Sequence, residues 1–189
     1  MGSVLIVSGA SKGREMLAEL CCANSCEHVV MAESGVQARR LLIDNSYDLV
    51  IINTPLHDEF GQELALNLTT SSTSGIILIV KSELADTVSA KVEDYGVFVV
   101  PKPINRQLFY QSFKLVAAAR KRLMGLKNEN VKLQNKIEEI RLVDRAKYTL
   151  IQYLKMTEPQ AHRYIEKQAM DMRLTRREIA EEILKTYES

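Results

Sequence analysis

Five short apolar runs in the first part of the chain limit its possible folds more than any other feature. The runs are nearly continuous and rich in β-branched residues, which is typical of strands covered on both faces. They occupy Ser3–Ser8, Val29–Ala32, Leu49–Thr54, Ile76–Lys81 and Val97–Pro101. Helix-like segments separate them, at Lys12–Ala23, Gly35–Asn45, Glu59–Leu68 and Leu84–Tyr95, and a fifth helix follows Asn105 as its N-cap. This alternation predicts a doubly wound α/β domain with a five-stranded parallel sheet and ligand sites at the carboxyl ends of its strands.

The composition excludes several classes of protein. Hydrophobic residues make up 46% and charged residues 26% of the 189 positions, as in soluble globular proteins. No apolar run approaches the roughly 20 residues that a membrane-spanning helix requires. The three cysteines lie close together at Cys21, Cys22 and Cys26, which predicts reduced thiols in a cytoplasmic protein rather than a disulfide framework. His28 alone adds too few ligands for zinc, and we find no nucleophile–base pair or phosphate loop, so we expect no metal, no cofactor and no enzymatic activity.

The charges are unevenly distributed along the chain. Residues 1–119 carry 9 Lys+Arg against 13 Asp+Glu, whereas residues 120–189 carry 16 against 11. The chain is therefore acidic by four charges in its first part and basic by five in its second part, although its formal net charge is only +1. A basic C-terminal part is consistent with a polyanionic partner. At this modest excess, the charge taken alone favours a solvated helical surface.

The segment after the fifth run, Pro101-Lys102-Pro103-Ile104, resembles the receiver domain of response regulators. Together with the βα alternation, the resemblance covers residues 3 to about 119 and implies a flavodoxin-like fold. It also implies that Lys102 lies at the phosphorylation site, and that the Lys102–Pro103 peptide bond is cis, which proline makes accessible at a cost of about 0.5–1 kcal/mol.

Three positions depart from the receiver pattern. The phospho-accepting aspartate is expected at the end of the third strand, where this chain has Asn53, and a carboxamide cannot form an acyl phosphate. The acidic pair that holds Mg²⁺ is replaced by Ser8 and Gly9, although Mg²⁺ prefers charged oxygen ligands. Lys81 occupies the position of the switch hydroxyl. We therefore predict a pseudo-receiver with a degenerate site, in which Lys81 and Lys102 form either an anion pocket or, as we favour, two solvated ammonium groups.

A heptad pattern follows the fifth predicted helix. No proline occurs between Phe113 and Pro159, and apolar residues recur at the a and d positions for four heptads. The seam residues that predict a coiled-coil dimer are Val116, Leu123, Leu126, Asn130, Leu133, Ile137 and Ile140. A buried asparagine favours a parallel, in-register dimer, whereas flanking like charges predict that the dimer is weak or conditional. Packing of the stripe on the chain's own receiver is the alternative.

The last quarter of the chain resembles the ANTAR domain, an RNA-binding helical module of bacterial antitermination regulators. The residues that carry the resemblance include Ala146-Lys147, Met156-Thr157-Glu158, Tyr164-Ile165, Gln168-Ala169-Met170-Asp171 and Ile179-Ala180. Capping signals at Thr157 and Thr175 predict two helices after the long one, and thus a three-helix module. The exposed positions, the helix N-termini and the Ala-Lys motif indicate the RNA-binding residues Arg145, Ala146, Lys147, Gln160, His162, Arg163, Lys167, Arg173, Arg176 and Arg177.

These patterns predict three regions. They are a pseudo-receiver over residues 1–112, a coiled-coil linker helix over 113–143 and an ANTAR-like module over 144–189. The resemblance implies an antitermination regulator that binds hairpin loops of nascent mRNA as a homodimer, with control by a regulatory protein or ligand rather than by aspartyl phosphorylation. A DNA-binding response regulator and a coiled-coil scaffold without a nucleic acid partner remain alternatives.

Overall fold

The chain alternates strands and helices and then continues as helices alone. In the computed structural model, which describes residues 2–24 and 26–187, the strands are β1 (Ser3–Ser8), β2 (His28–Ala32), β3 (Leu49–Asn53), β4 (Gly75–Lys81) and β5 (Val97–Lys102). The helices are α1 (Ser11–Cys22), α2 (Gly35–Asp44), α3 (Gln62–Ser71), α4 (Ala85–Val92), α5 (Arg106–Leu154), α6 (Glu158–Met172) and α7 (Arg176–Tyr187). Within the described residues, no helix is both long and apolar enough to cross a membrane.

The five strands form one parallel sheet in the order β2-β1-β3-β4-β5, which confirms the predicted flavodoxin-like architecture. The register pairs Ser8 of β1 with Asn53 of β3, and Lys81 of β4 with Lys102 of β5. Because all the strands run in the same direction, these four residues lie along the carboxyl edge of the sheet, where a doubly wound fold binds ligands.

Each face of the sheet is covered by its own hydrophobic cluster. Leu64 and Leu68 of α3 belong to one cluster, whereas Phe109 and Phe113 of α5 belong to the other. Val116 also belongs to the second cluster, and only 7% of its surface is exposed. The prediction that Val116 contributes to the dimer seam is therefore wrong, because its side chain is enclosed by the receiver core. The three cysteines are free thiols.

Helix α3 begins three residues later than the sequence predicts. The preceding turn needs a left-handed residue, which Gly61 supplies with a φ of 101°, and such a conformation favours glycine. Asp58 lies in this loop and accepts hydrogen bonds at 2.9 Å from the backbone N–H groups of Gly35 and Val36, at the start of α2. Glu59 binds Arg39 of α2. The loop after β3 is thus attached to the N-terminal turn of α2.

Helix α5 is continuous through the predicted linker and the first helix of the C-terminal module. The contacts within the chain nevertheless divide it into two compact units, residues 1–125 and 126–189. The receiver unit therefore includes the first five turns of α5, and the division falls 13 residues after the predicted end of the receiver at residue 112.

The second unit is a three-helix bundle made by the end of α5 with α6 and α7. Its buried residues include Ala146, Leu150, Ile165 and Ile183. At the start of α7, Thr175 and Glu178 form the predicted capping box, in which the Thr175 N–H donates to Glu178 Oε2 at 2.7 Å and the Glu178 N–H donates to Thr175 Oγ1 at 3.2 Å. Arg173 ends α6 in a left-handed conformation with a φ of 56°. The sharp turn between α6 and α7 is therefore made without glycine.

Candidate nucleic-acid interface and receiver site

The centre of the receiver site is a hydrogen bond between two neutral side chains. Asn53 Nδ2 donates to Ser8 Oγ at 2.9 Å, and Ser8 is only 1% exposed. Gly13 of α1 lies directly against this pair, since a Cβ at that position would come within 2.8 Å of Asn53 Nδ2 and 2.9 Å of Ser8 Oγ. Asn53, at the phospho-acceptor position, and Ser8, at the position of the acidic pair, thus contact each other and leave no space for a side chain at residue 13.

Lys102 is also bound within the receiver unit. Its ammonium group donates to the carbonyl oxygen of Thr54, the residue after Asn53. Burial lowers the pKa of Lys102 below its ordinary value, and the neighbouring Lys81 lowers it further. Lys81 itself is exposed. The Lys102–Pro103 peptide bond is cis, as predicted, and so is Thr54–Pro55.

The remaining oxygens at the end of β1 also have partners. The Arg14 guanidinium donates to the carbonyl oxygens of Ser8 at 2.8 Å and Gly9 at 3.0 Å, and it pairs with Glu33 at 2.8 Å. His57 Nε2 lies 2.9 Å from the Gly9 oxygen.

The receiver site has few oxygens to offer a metal ion. Among the described residues, Asn53 Oδ1 is the one buried side-chain oxygen there that has no hydrogen-bond partner. One amide oxygen surrounded by lysine and arginine is a poor donor set for Mg²⁺, which prefers carboxylates and phosphates. The residues present do not fit the Mg²⁺ ion that receiver phosphorylation uses.

The predicted seam residues after Val116 are exposed along one stripe of α5. They are Leu123, Leu126, Asn130, Leu133, Ile137 and Ile140. Leu133, for example, is 62% exposed. Large apolar side chains at a and d spacing over about five turns of an exposed helix are typical of a coiled-coil surface. Pairing of these residues with a second chain stays a prediction.

The Ala-Lys motif takes part in the packing of the C-terminal bundle. Ala146 is fully buried in its core, so the prediction that it contacts RNA directly is wrong. Lys147 Nζ lies 2.8 Å from Asp144 Oδ1 and 3.0 Å from Glu158 Oε1. The Lys147 side chain is only 16% exposed, and its pKa is raised by hydrogen bonds to Asp144 and then Glu158. It connects α5 to the first residue of α6.

Several other predicted RNA-binding residues also have partners within the bundle. Gln160 Oε1 accepts a hydrogen bond at 2.8 Å from the backbone N–H of Thr157, which caps α6. His162 lies 3.3 Å from Glu166. Arg176 lies 3.7 Å from Glu139, and Arg177 lies 3.9 Å from Glu138 and 3.0 Å from Glu181. These ion pairs are exposed and contribute little to stability, so RNA phosphates can compete for the same cations.

Three predicted cations have no ion pair within the described part of the chain. Arg163 and Lys167 are exposed one turn apart on α6, and Arg173 is exposed at its C-terminal end. Arg145 is exposed on α5. These four residues therefore present positive charge on the surface of the bundle.

Sequence reasoning missed one aromatic residue on this surface. Tyr148 of α5 is 71% exposed, which makes it the most exposed aromatic side chain in the described part of the chain. By contrast, Tyr164 is only about one-third exposed, and Tyr153 packs against Tyr187 with 5.5 Å between ring centroids. The sequence could have indicated this exposure. Tyr148 is two residues from both Ala146 and Leu150, which are buried, and this spacing places Tyr148 on the opposite side of the helix.

Comparisons with known proteins agree with both halves of this description. A family model described as the ANTAR domain matches residues 131–184. The transcriptional regulatory protein PdtaR of Mycobacterium tuberculosis is 27% identical over 183 residues, covering 97% of this chain and 89% of that protein. The chain is thus similar to a transcriptional regulator over almost its whole length and matches the ANTAR domain in its C-terminal part. The ANTAR match and the similarity to PdtaR therefore indicate a regulator of the antitermination type.

Solved structures resemble the receiver unit of this chain. A response regulator receiver domain from Clostridium thermocellum superposes with a TM-score of 0.59 at 16% identity, covering 65% of this chain and 99% of that one. A signal receiver domain from Pseudomonas fluorescens Pf-5 has the same TM-score at 19% identity and covers 66% and 92%. At these identities the likeness concerns the fold alone.

Proposed function

We propose that this chain is a transcription antitermination regulator that binds hairpin loops of nascent mRNA as a dimer through its ANTAR domain. The observation that carries the proposal is the exposed basic surface of the bundle that matches the ANTAR domain. RNA loops are bound through phosphate contacts together with stacking on aromatic or guanidinium planes. Arg145, Arg163, Lys167 and Arg173 provide exposed cations for the phosphates. The transcriptional role of PdtaR supports transcriptional control by this chain.

The proposal assigns the exposed stripe of α5 to pairing between two chains. A coiled-coil dimer carries two identical bundles, which bind two loops or two parts of one transcript. Once the first bundle is bound, the second binds at a high effective concentration, so the dimer binds more tightly than a single bundle. Like charges beside the seam weaken the dimer, and bound RNA reduces their repulsion. Dimerisation and RNA binding then favour each other.

Control by a protein partner or a ligand, rather than by aspartyl phosphorylation, completes the proposal. Asn53 has no carboxylate to accept a phosphoryl group, and the surrounding oxygens are bonded to Arg14 and Lys102. The receiver then acts as a docking domain whose occupant regulates the availability of the coiled coil. A cytoplasmic location fits such a regulator of transcription.

Retention on RNA and DNA at matched salt tests the proposed function. The purified full chain is titrated into a pool of RNA hairpins with a common stem and randomised loops, and into duplex DNA of the same stem sequence, with its mass in solution measured in parallel. We expect RNA hairpins to be retained as a complex with a dimer, and the affinity to fall steeply with salt because phosphate contacts release counterions.

A matched pair of charge reversals sharpens this test. Lys167→Glu on α6 is expected to weaken retention of the hairpins, whereas Lys91→Glu on α4 of the receiver leaves it unchanged. Stronger retention of duplex DNA would favour the DNA-binding alternative. The turn between α6 and α7 is compatible with that alternative, because Arg173 makes it without glycine. Retention of neither nucleic acid at low ionic strength would favour a coiled-coil scaffold.

A further inference from the structure

Tyr148 has no structural role that explains its position. Its ring lies outside the bundle core, and no hydrogen bond, ring contact or ion pair within the described part of the chain involves it. A tyrosine that is 71% exposed beside the buried residues Ala146 and Leu150 leaves a large apolar ring in water. The ring is therefore available to a partner.

The neighbours of Tyr148 show what kind of partner fits. Residues 141, 145, 148 and 152 recur at intervals of four and three, so they form one stripe along the exposed side of α5. The stripe consists of the exposed residues Arg141, Arg145, Tyr148 and Gln152, and the exposed Lys155 directly follows the end of the helix at Leu154. One aromatic ring between cationic and polar side chains is too isolated for an apolar protein surface. It matches a nucleic acid strand, whose bases stack while its phosphates contact cations.

Lys147 contributes indirectly to this stripe. Asp144 is the one acidic residue between Arg141 and Lys155, and it lies one turn from Tyr148. Its carboxylate is 2.8 Å from the Lys147 ammonium group, which offsets its charge. Lys147 thus keeps an acidic side chain from repelling phosphates beside Tyr148, without needing to contact RNA itself.

We propose that Tyr148 is a stacking platform for an unpaired base of the RNA loop, and that Arg141 and Arg145 contact the adjoining phosphates. The inference rests on the proposed function, since it assigns the mode of recognition to the RNA-binding surface already described. It explains why an exposed tyrosine follows the Ala-Lys motif, a position that the sequence reasoning left without a role.

Substitutions of Tyr148 in the full chain separate stacking from charge. Tyr148→Ala is expected to weaken binding of the hairpin pool by about tenfold, within the range for loss of one base–aromatic stack. Tyr148→Phe keeps the ring and is expected to bind within about twofold of wild type by the same principle. Tyr148→Lys adds positive charge but removes the ring, so we expect weaker binding, whereas stronger binding would overturn the stacking proposal. Tyr95→Ala, at an exposed tyrosine of the receiver unit, is the matched control and is expected to have no effect.

Fluorescence provides a second and independent readout. The chain contains no tryptophan, so Tyr148→Trp introduces a single reporter. We expect its emission to be quenched when the hairpin pool is added, and to be unaffected by the stem duplex without a loop.

The outcomes distinguish the two proposals from each other. If the wild-type chain retains no RNA, the proposed function fails. If the wild type binds and Tyr148→Ala binds equally well, the stacking proposal alone is wrong. The competing occupant of this stripe is a second copy of the chain, because Tyr148 follows the seam on α5. In that case Tyr148→Ala would lose the dimer, and the emission of Tyr148→Trp would respond to protein dilution but not to RNA. These results would assign the residue to the dimer contact and overturn the proposal.

Discussion

The two units of the chain differ in how many of their exposed or polar functional groups are left without a partner. In the receiver unit, Asn53 binds Ser8, Lys102 binds the Thr54 oxygen, and Arg14 binds the end of β1. In the C-terminal unit, Arg163, Lys167 and Tyr148 extend from the surface without partners in the described part of the chain. Donors that already bind the chain's own oxygens gain little from a ligand, whereas exposed cations around an aromatic ring gain most from a partner. The difference favours the C-terminal unit as the site of the proposed RNA binding.

The largest expected effect tests whether the two units have separate cores. Phe113 is fully buried in the receiver core, with 6.2 Å between its ring centroid and that of Phe109. Phe113→Ala is therefore expected to lower the free energy of unfolding of the receiver unit by about 3–5 kcal/mol. Urea unfolding monitored by amide exchange should show early opening of β4, whereas the amides of α6 keep their protection.

A neighbouring position on α5 provides the control for this substitution. Leu115→Ala removes an exposed side chain and is expected to change the free energy of unfolding by less than about 0.5 kcal/mol. If Phe113→Ala lowers the protection of α6 as strongly as that of β4, the two units form one cooperative structure and the comparison fails.

The next effect concerns the exposed seam. Leu133→Lys places a charge at a d position and is expected to convert the dimer to a monomer, which sedimentation can measure. Loss of avidity should weaken RNA binding by about a hundredfold. Val131→Lys, two residues away and exposed outside the seam, adds the same charge and should keep the dimer. A dimeric Leu133→Lys variant would show that chains associate elsewhere.

A smaller effect is expected at Lys147, which lies between the core and the surface. Lys147→Ala should leave the bundle folded and lower its free energy of unfolding by less than about 1 kcal/mol. The pKa of Lys147 is raised above its ordinary 10.5 in the folded chain. The contribution of its ion pairs to the free energy of unfolding is therefore fully present below pH 10.5, and it is lost as the pH rises through the folded pKa. The stability difference between wild type and variant should therefore shrink in strongly alkaline buffer.

Lys167→Ala is the contrasting substitution for Lys147. Lys167 is exposed and has no ion pair in the described part of the chain, so its removal should weaken RNA binding while the unfolding midpoint stays unchanged. We expect Lys147→Ala to weaken RNA binding as well, but through Asp144 and the junction of α5 with α6. A full loss of RNA binding in Lys147→Ala, at unchanged stability, would instead make Lys147 a direct contact.

The smallest expected effect is at Asn53. Asn53→Asp restores the carboxylate of a phospho-acceptor but leaves Ser8 and Gly9 without acidic ligands for Mg²⁺. Treatment with acetyl phosphate and Mg²⁺ should therefore give no phosphoryl mass gain, in the variant or in the wild type. A gain in the variant would show that the receiver site can still hold the ion.

Much of the receiver fold could be predicted because buried parallel strands leave a strong local signal. Nearly continuous β-branched runs located all five strands to within one residue at each end, and parallel pairing then brought Ser8 near Asn53. The partners of Arg14 and Lys102 could not be predicted. They depend on the loop after β3 and on the first turn of α1, where contacts are set by tertiary packing.

The heptad pattern was ambiguous for a physical reason. A helix that packs on its own receiver and a helix that pairs with a second chain both need an apolar stripe with nearly the same period. The pattern therefore runs without a break from Val116, which is enclosed in the receiver core, to Leu123, which is exposed. Likewise, the sequence located Lys147 on α5 but not its contact with Glu158, because that contact requires the turn before α6.

The position of His57 bears on how such a receiver could change over evolution. A Cβ at residue 9 would lie 3.0 Å from His57 Nε2, so an aspartate introduced there would meet the imidazole ring before it could hold a cation. An aspartate at residue 53 would still lack acidic neighbours. A Mg²⁺ site at this edge of the sheet would therefore need several substitutions together, since each one alone lacks the partners that the others would supply.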